Sequence, residues 1–77
     1  MANDSDKVQT ITVRGTPIEL CQLLKFAGLT GTGGEAKQVI AQGLVLVNGE
    51  VETRKRKKIE AGDRVVFNGK ELTIQVG

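Results

Sequence analysis

Two Asn-Gly pairs in the second half of the chain constrain the fold most strongly. Asn48-Gly49 separates LVLV from EVE, and Asn68-Gly69 separates RVVF from KELTIQV. The tightest hairpin turns need positive φ at both central residues, and Asn and Gly tolerate this conformation best. Because β-prone runs flank both pairs, the pattern predicts two β-hairpins, and therefore four strands, in the C-terminal half.

The residue pattern in the first half of the chain predicts a strand followed by a helix. Val8–Val13 alternates apolar and polar residues, which is typical of a half-buried strand, and Gly15 ends it. The next residues predict a helix start, with Thr16 as the cap, Pro17 at the first helical position and Glu19 closing a capping box. The apolar residues that follow have the spacing of one buried helix face: Leu20, Leu23, Leu24 and Ala27. Gln22 and Lys25 lie on the opposite face, and Gly28 is the predicted end of the helix.

A second helix of about ten residues is predicted to follow. Thr32 and Glu35 have the spacing of another capping box, and Gly43 is the predicted stop. The apolar face consists of Ala36, Val39 and Ile40. Lys37 flanks that face, about 100° from its centre. The predicted order is therefore a strand, two helices and four strands, an α+β domain.

Length and composition exclude several classes of protein. Seventy-seven residues, 39% of them hydrophobic, suit one small domain, 1–77, with residues 1–6 expected to form a disordered tail. The chain has one cysteine and no histidine, which argues against an internal disulfide, a zinc site and Cys-His catalysis. No long apolar run or signal-like segment occurs, so a cytoplasmic protein is expected.

Positive charge is concentrated in one segment, Arg54-Lys55-Arg56-Lys57-Lys58, here called the basic run. Residues 1–50 carry a net charge of −1 and residues 51–77 a net charge of +3. The run is either a hydrated connection between strands or a surface for an anionic partner. Five adjacent cations repel one another, which favours a partner, and phosphate suits both Arg and Lys. A membrane surface is less well supported, because no amphipathic helix with exposed aromatic anchors accompanies the run.

Aromatic and glycine residues refine this hypothesis. Phe26 and Phe67 are the only aromatic residues. Phe67 is expected in the core, and so is Phe26 at the edge of the apolar face of the first helix, with an exposed stacking face as the alternative for Phe26. A module that stacks bases on exposed rings is therefore not expected, and recognition of structured RNA by shape and phosphates fits better. The segment GLTGTGGEAK lacks the Lys-Ser/Thr ending of a nucleotide-binding loop. Gly33 and Gly34 either form a tight turn or offer helix N–H groups to one phosphate.

Catalytic residues are not apparent in the sequence. The carboxylates are scattered, with Glu19 and Glu35 interpreted as caps and Asp63 as a turn residue. No nucleophile is paired with a base, and Cys21, beside buried leucines, is interpreted as a packing residue. We expect no enzyme activity, cofactor, metal or small-molecule substrate.

From about Glu19 to Phe67 the sequence resembles the small RNA-binding domain named after ribosomal small-subunit protein four, and it looks most like the compact stand-alone bacterial type. The segments that carry the resemblance are LLKFAGL, GGEAK, VNG, ETRKRKKI and GD, in this order and spacing. The resemblance implies an S4-like fold, the alpha-L motif, with two antiparallel helices packed on a small, mostly antiparallel sheet of about five strands. It also implies RNA contacts from Lys25, Lys37, Arg54, Lys55, Arg56, Lys57 and Lys58.

Two departures from the family pattern matter. Many relatives open the second helix with a Ser-Arg pair, where this chain has Thr32-Gly33-Gly34, so backbone N–H groups and Lys37 are expected to make that contact. The family domain often accompanies an enzyme such as a pseudouridine synthase, but no such domain is found in these residues, so catalysis is not inherited.

The sequence thus predicts a monomeric module that binds structured RNA, with ribosomal RNA as the expected class. Reversing the charges of the basic run is expected to abolish binding without unfolding the domain. The alternative is a protein-interaction or ubiquitin-like carrier module. A carrier of this kind needs a terminal Gly-Gly, whereas the sequence ends in Val76-Gly77, so this alternative is ranked lower.

Overall fold

A computed structural model describes residues 8–77, so the predicted tail, residues 1–6, lies outside the described residues. Within these residues, seven strands and two helices follow one another: β1 Val8–Val13, β2 Ile18–Glu19, α1 Leu20–Phe26, α2 Gly33–Ala41, β3 Val45–Val47, β4 Glu50–Val51, β5 Lys58–Ile59, β6 Arg64–Phe67 and β7 Lys70–Val76. The α+β prediction is confirmed. No helix within residues 8–77 is long and apolar enough to cross a membrane.

Five strands form one mixed sheet in the order β1-β7-β6-β3-β4. β1 runs parallel to β7, and the other three pairings are antiparallel. Both predicted hairpins are present, with φ of 51° and 87° at Asn48 and Gly49 and of 55° and 77° at Asn68 and Gly69. The positive φ values are those that the hairpin prediction requires.

The core lies between one face of this sheet and the two helices. Alternate strand residues point inward, as the period of two requires, and the helices supply the apolar stripes predicted for them. The largest fully buried side chains are Leu20, Leu23, Leu24, Ile40, Val45, Ile59, Val65 and Leu72. Burial of each such side chain stabilises the fold by about 1.5–3 kcal/mol relative to exposure.

The predicted start of the first helix is wrong. Ile18 and Glu19 form β2, which pairs antiparallel with β5, and the helix begins at Leu20. Glu19 is the cap residue by position, but its side chain makes no capping hydrogen bond, so the proposed box with Thr16 does not form. β5 is also a fifth strand in the C-terminal half, and it places Lys58 in a strand, whereas the sequence had placed the whole basic run in a loop.

The second helix follows its prediction more closely. It has nine residues, and the hydroxyl oxygen of Thr32 accepts a hydrogen bond from the N–H of Glu35 at 3.0 Å. The carboxylate of Glu35 reaches the N–H of Gly31 (2.7 Å), not that of Thr32, so only half of the capping box forms. Gly28 and Gly43 follow the two helix ends, as predicted, each with a φ of 77°.

The two phenylalanines differ from each other. Phe67 is half-buried and packs against the core, but Phe26 is 60% exposed, so its predicted burial is wrong. Phe26 is the last residue of α1, and no other element covers its side chain enough to bury it. Cys21 is buried in the core cluster, which confirms its interpretation as a packing residue.

Candidate nucleic-acid interface

The basic run is attached to the start of α1 through its main chain. The N–H groups of Leu20 and Cys21 donate to the carbonyl oxygens of Lys57 and Lys55 at 2.9 and 3.1 Å. The first N–H groups of a helix lack partners within the helix, and here the run supplies them. A turn inside the run, closed by a 3.1 Å bond from the N–H of Lys57 to the carbonyl of Arg54, completes this arrangement. The run is therefore positioned by backbone hydrogen bonds, which do not use its side chains.

A groove, here called the interhelical groove, lies where α1, α2 and the basic run meet. Three cations line it, one from each element, namely Lys25, Lys37 and Arg56. Its other lining residues are Glu19, Cys21, Gln22 and Gly33. Four of the residues predicted for RNA binding, the three cations and Gly33, are therefore brought together although they are distant in the sequence.

The groove is electrostatically suited to a polyanion. Its three cations face a single lining carboxylate, that of Glu19. Lys25, Lys37 and Arg56 are all exposed, so a ligand can reach them from solvent. Clustered like charges repel one another until an anion neutralises them, and clefts of one sign concentrate the opposite ion. Phosphate oxygens match both the planar fork of Arg and the compact charge of Lys.

Arg54 differs from the other cations of the run because it already has an anionic partner. Its Nε and Nη2 donate to Oε2 and Oε1 of Glu52 at 2.8 and 3.2 Å, and its backbone N–H donates to Oε2 at 3.0 Å. The side-chain hydrogen bond from Arg54, with its positive charge, lowers the pKa of Glu52 from 4.5 to about 2. The same contact raises the pKa of Arg54. Glu52 therefore stays ionised and competes with any phosphate for this guanidinium.

All five cations of the run, Arg54 included, surround a separate hollow. It is lined by the residues from Thr53 to Lys58 alone, and Arg56 is the residue that it shares with the interhelical groove. Lys55 and Lys58 are exposed, and Lys57 is half-buried. The structure therefore places the basic run beside the groove, with Arg56 as the link between the two surfaces.

The two glycines at the start of α2 differ in their position relative to the interhelical groove. Gly33 lines the interhelical groove, and Gly34 is not among its lining residues. Within residues 8–77, no hydrogen bond takes up the N–H of Gly33 or of Gly34, whereas that of Glu35 is bonded to Thr32. The Glu35 carboxylate, bonded to Gly31, adds a negative charge at this helix end.

Sequence reasoning missed several residues of this surface. Gln22 lies three residues before Lys25 on the exposed side of α1, and this helical spacing could have identified it. Glu19 had been interpreted only as a cap. The ion pair between Glu52 and Arg54 was harder to predict, because the two residues are two positions apart outside a helix, where no regular spacing indicates a contact. In the described part of the chain, no group of three His, Cys, Asp or Glu residues could hold a metal ion.

Comparison with known proteins shows which domains have a similar sequence and fold. The family model for the S4 domain matches residues 11–75. YbcJ of Escherichia coli (strain K12) is 51% identical over 57 residues, which cover 74% of this chain and 81% of YbcJ. The solution structure of YbcJ, described as revealing an alfaL motif involved in RNA-binding, superimposes with a TM-score of 0.64 at 41% identity, over 97% of this chain and 91% of that one. The resemblance to the stand-alone bacterial type is thereby confirmed.

The same domain occurs inside larger proteins. The tyrosine–tRNA ligase of Burkholderia thailandensis is 42% identical over 71 residues, which make up 92% of this chain but 17% of the ligase. The match is therefore confined to a small part of the ligase.

Proposed function

The chain belongs to the S4 domain family, and from this premise we propose that it recognises structured RNA by phosphate and shape contacts from its two helices and basic run. The observation that carries the proposal is the interhelical groove, where Lys25, Lys37 and Arg56 converge from three elements. The family match and the likeness to YbcJ support RNA as the ligand.

Phosphate contacts explain why the groove is built from cations. Each phosphate that a Lys or Arg neutralises releases condensed counterions, which favours binding at low salt. The groove presents three cations and the adjoining hollow adds Lys55, Lys57 and Lys58. Double-helical RNA has a deep, narrow major groove that side chains do not read, so proteins recognise it mainly by shape, phosphates and 2′-hydroxyls. A positive groove with few aromatic residues suits this mode.

Ribosomal RNA is the proposed class of ligand, because it is rich in folded helices and junctions of the kind that such a surface fits. We propose that the protein binds as a monomer, since a single copy already forms a groove with three cations. It would act without catalysis, in the cytoplasm, where ribosomal RNA is found. No observation on the structure favours the alternative of a ubiquitin-like carrier.

A fluorescence-anisotropy titration tests the proposal. The protein is titrated against a structured ribosomal RNA fragment, a single-stranded RNA and a DNA duplex, each at several salt concentrations. The expected result is tightest binding to structured RNA, with log affinity falling linearly as log salt rises, at a slope that corresponds to several phosphates. Equally weak binding to all three nucleic acids would refute the proposal.

A further inference from the structure

Phe26 is the most exposed large apolar side chain of the described residues, at 60%. It ends α1, on the same helix that contributes Gln22 and Lys25 to the interhelical groove. The other exposed apolar residues, Leu44, Val51 and Val76, belong to strands of the sheet or, for Leu44, directly precede one. Phe26 is therefore an isolated aromatic side chain on the helical part of the molecule.

The helical spacing places Phe26 beside the groove. Residues three and four apart are neighbours on a helix surface, and Gln22 lies four residues before Phe26 and three before Lys25. Gln22, Lys25 and Phe26 are all exposed, and the first two line the groove. Phe26 thus extends the exposed stripe of α1 from the groove towards the C-terminal end of the helix.

A single exposed apolar residue is common on protein surfaces and by itself needs no explanation. The combination here is more specific, because the exposed ring lies one helical turn after Gln22, which lines the same groove as the three cations. Proteins that bind unpaired nucleotides join these two features, with cations along the backbone and rings on which bases stack. A protein partner would instead be favoured by a continuous apolar patch, and the neighbours of Phe26 on this stripe are polar or charged.

We propose that Phe26 is a stacking platform for an unpaired base that flanks the helical RNA held in the interhelical groove. This inference rests on the proposed function and narrows it, since the preferred RNA carries an unpaired nucleotide beside a duplex. A duplex offers phosphates to the groove but no free base face to Phe26. Because every base has such a face, the preference depends on the base being unpaired more than on its identity.

The test compares two RNA hairpins with the same stem, one of which has a single-nucleotide bulge that contains the fluorescent base 2-aminopurine. Wild type is expected to bind the bulged hairpin about fivefold or more tightly than the plain one, and to quench the 2-aminopurine. Phe26→Ala should remove the preference and the quenching, while it leaves the affinity for the plain stem and the salt slope unchanged. Phe26→Trp should keep both, and Phe26→Leu should not.

Leu44→Ala is the matched control, because Leu44 is also a large apolar residue, 53% exposed, but it directly precedes β3 and is not on α1 beside Gln22. Both substitutions are at the surface, so folding is expected to change little, and circular dichroism checks this. The inference is overturned if wild type shows no preference, if Phe26→Ala retains it, or if Leu44→Ala removes it equally. Any of these results overturns only the stacking role of Phe26, and the proposed function stands, as long as both hairpins still bind with a steep salt dependence. Failure of both hairpins to bind overturns both proposals.

Discussion

Arg54 and Arg56 lie two residues apart in the basic run, and the structure predicts that they contribute unequally to RNA binding. Arg56 lines the interhelical groove together with Lys25 and Lys37. Arg54 is engaged by Glu52 through two side-chain hydrogen bonds of 2.8 and 3.2 Å. Glu52 takes up two of the five N–H donors of Arg54 and offsets its charge, so a phosphate contact at Arg54 contributes less than one at Arg56.

The expected magnitudes follow from this difference. A hydrogen bond to a charged group contributes about 1.5–3 kcal/mol, so Arg56→Ala should weaken RNA binding by about tenfold or more. It should also reduce the slope of log affinity against log salt by about one. Arg54→Ala should cost less than about threefold, because the Glu52 carboxylate already offsets the charge that Arg54 offers to a phosphate.

The assay is fluorescence anisotropy with one structured RNA at several salt concentrations. Both substitutions lower the formal net charge from +2 to +1, so long-range electrostatics change equally and only the local contacts differ. Thermal unfolding establishes that both variants fold. If Arg54→Ala weakens binding as much as Arg56→Ala does, the reasoning from the groove and from the Glu52 pair is refuted.

Two further predictions concern stability. The pKa of Glu52 is about 2 in the folded protein, below its ordinary 4.5, so its contribution to the free energy of unfolding is complete above about pH 5 and is lost as the pH falls towards 2. In urea unfolding, Glu52→Gln should therefore be less stable than wild type at pH 7. A stability difference between the two proteins that stays constant down to pH 2 would contradict this. Asn48 and Asn68 both have positive φ in Asn-Gly turns. Within residues 8–77, the side chain of Asn48 is hydrogen-bonded to Asp63 (3.2 Å) and to the N–H of Arg64 (2.9 Å), whereas that of Asn68 makes no hydrogen bond. Asn48→Ala should therefore destabilise the fold by about 1–2 kcal/mol more than Asn68→Ala, and equal unfolding midpoints for the two variants would count against these bonds.

The local parts of the fold could be predicted from the sequence because their causes are local. The Asn-Gly turns need only the positive φ that those residues tolerate, and Val8–Val13 shows its strand period directly. The cap of α2 joins Thr32 to Glu35, three residues apart. Such features depend on neighbours along the chain, which a sequence displays.

The wrong predictions involve partners that are distant in the sequence. Thr16, Pro17 and Glu19 have the composition of a helix start, but residues 18–19 pair with residues 58–59 instead, and carbonyl groups of the basic run cap the helix. Tertiary contacts of this kind override local propensity. The exposure of Phe26 likewise depends on what packs beside it, which helical spacing alone does not determine.

The candidate site was predicted residue by residue, but its arrangement was not. Lys25, Lys37 and Arg56 were each expected to contact RNA, and only the structure shows that they share one groove. The sequence treated Arg54 and Arg56 as equivalent members of a run, and the Glu52 contact distinguishes them. RNA binding by these residues remains a prediction.

The most direct test of the groove as the RNA-binding surface compares two double charge reversals of equal net charge. Lys37→Glu with Arg56→Glu removes two groove cations, whereas Arg14→Glu with Lys70→Glu changes two exposed cations outside the groove, and each pair shifts the formal net charge from +2 to −2. At physiological salt, where charges more than about 8 Å apart are largely screened, the groove pair should weaken binding to structured RNA by about a hundredfold and the control pair only a few-fold. Equal losses in the two variants would show that overall charge, and not the groove, determines binding.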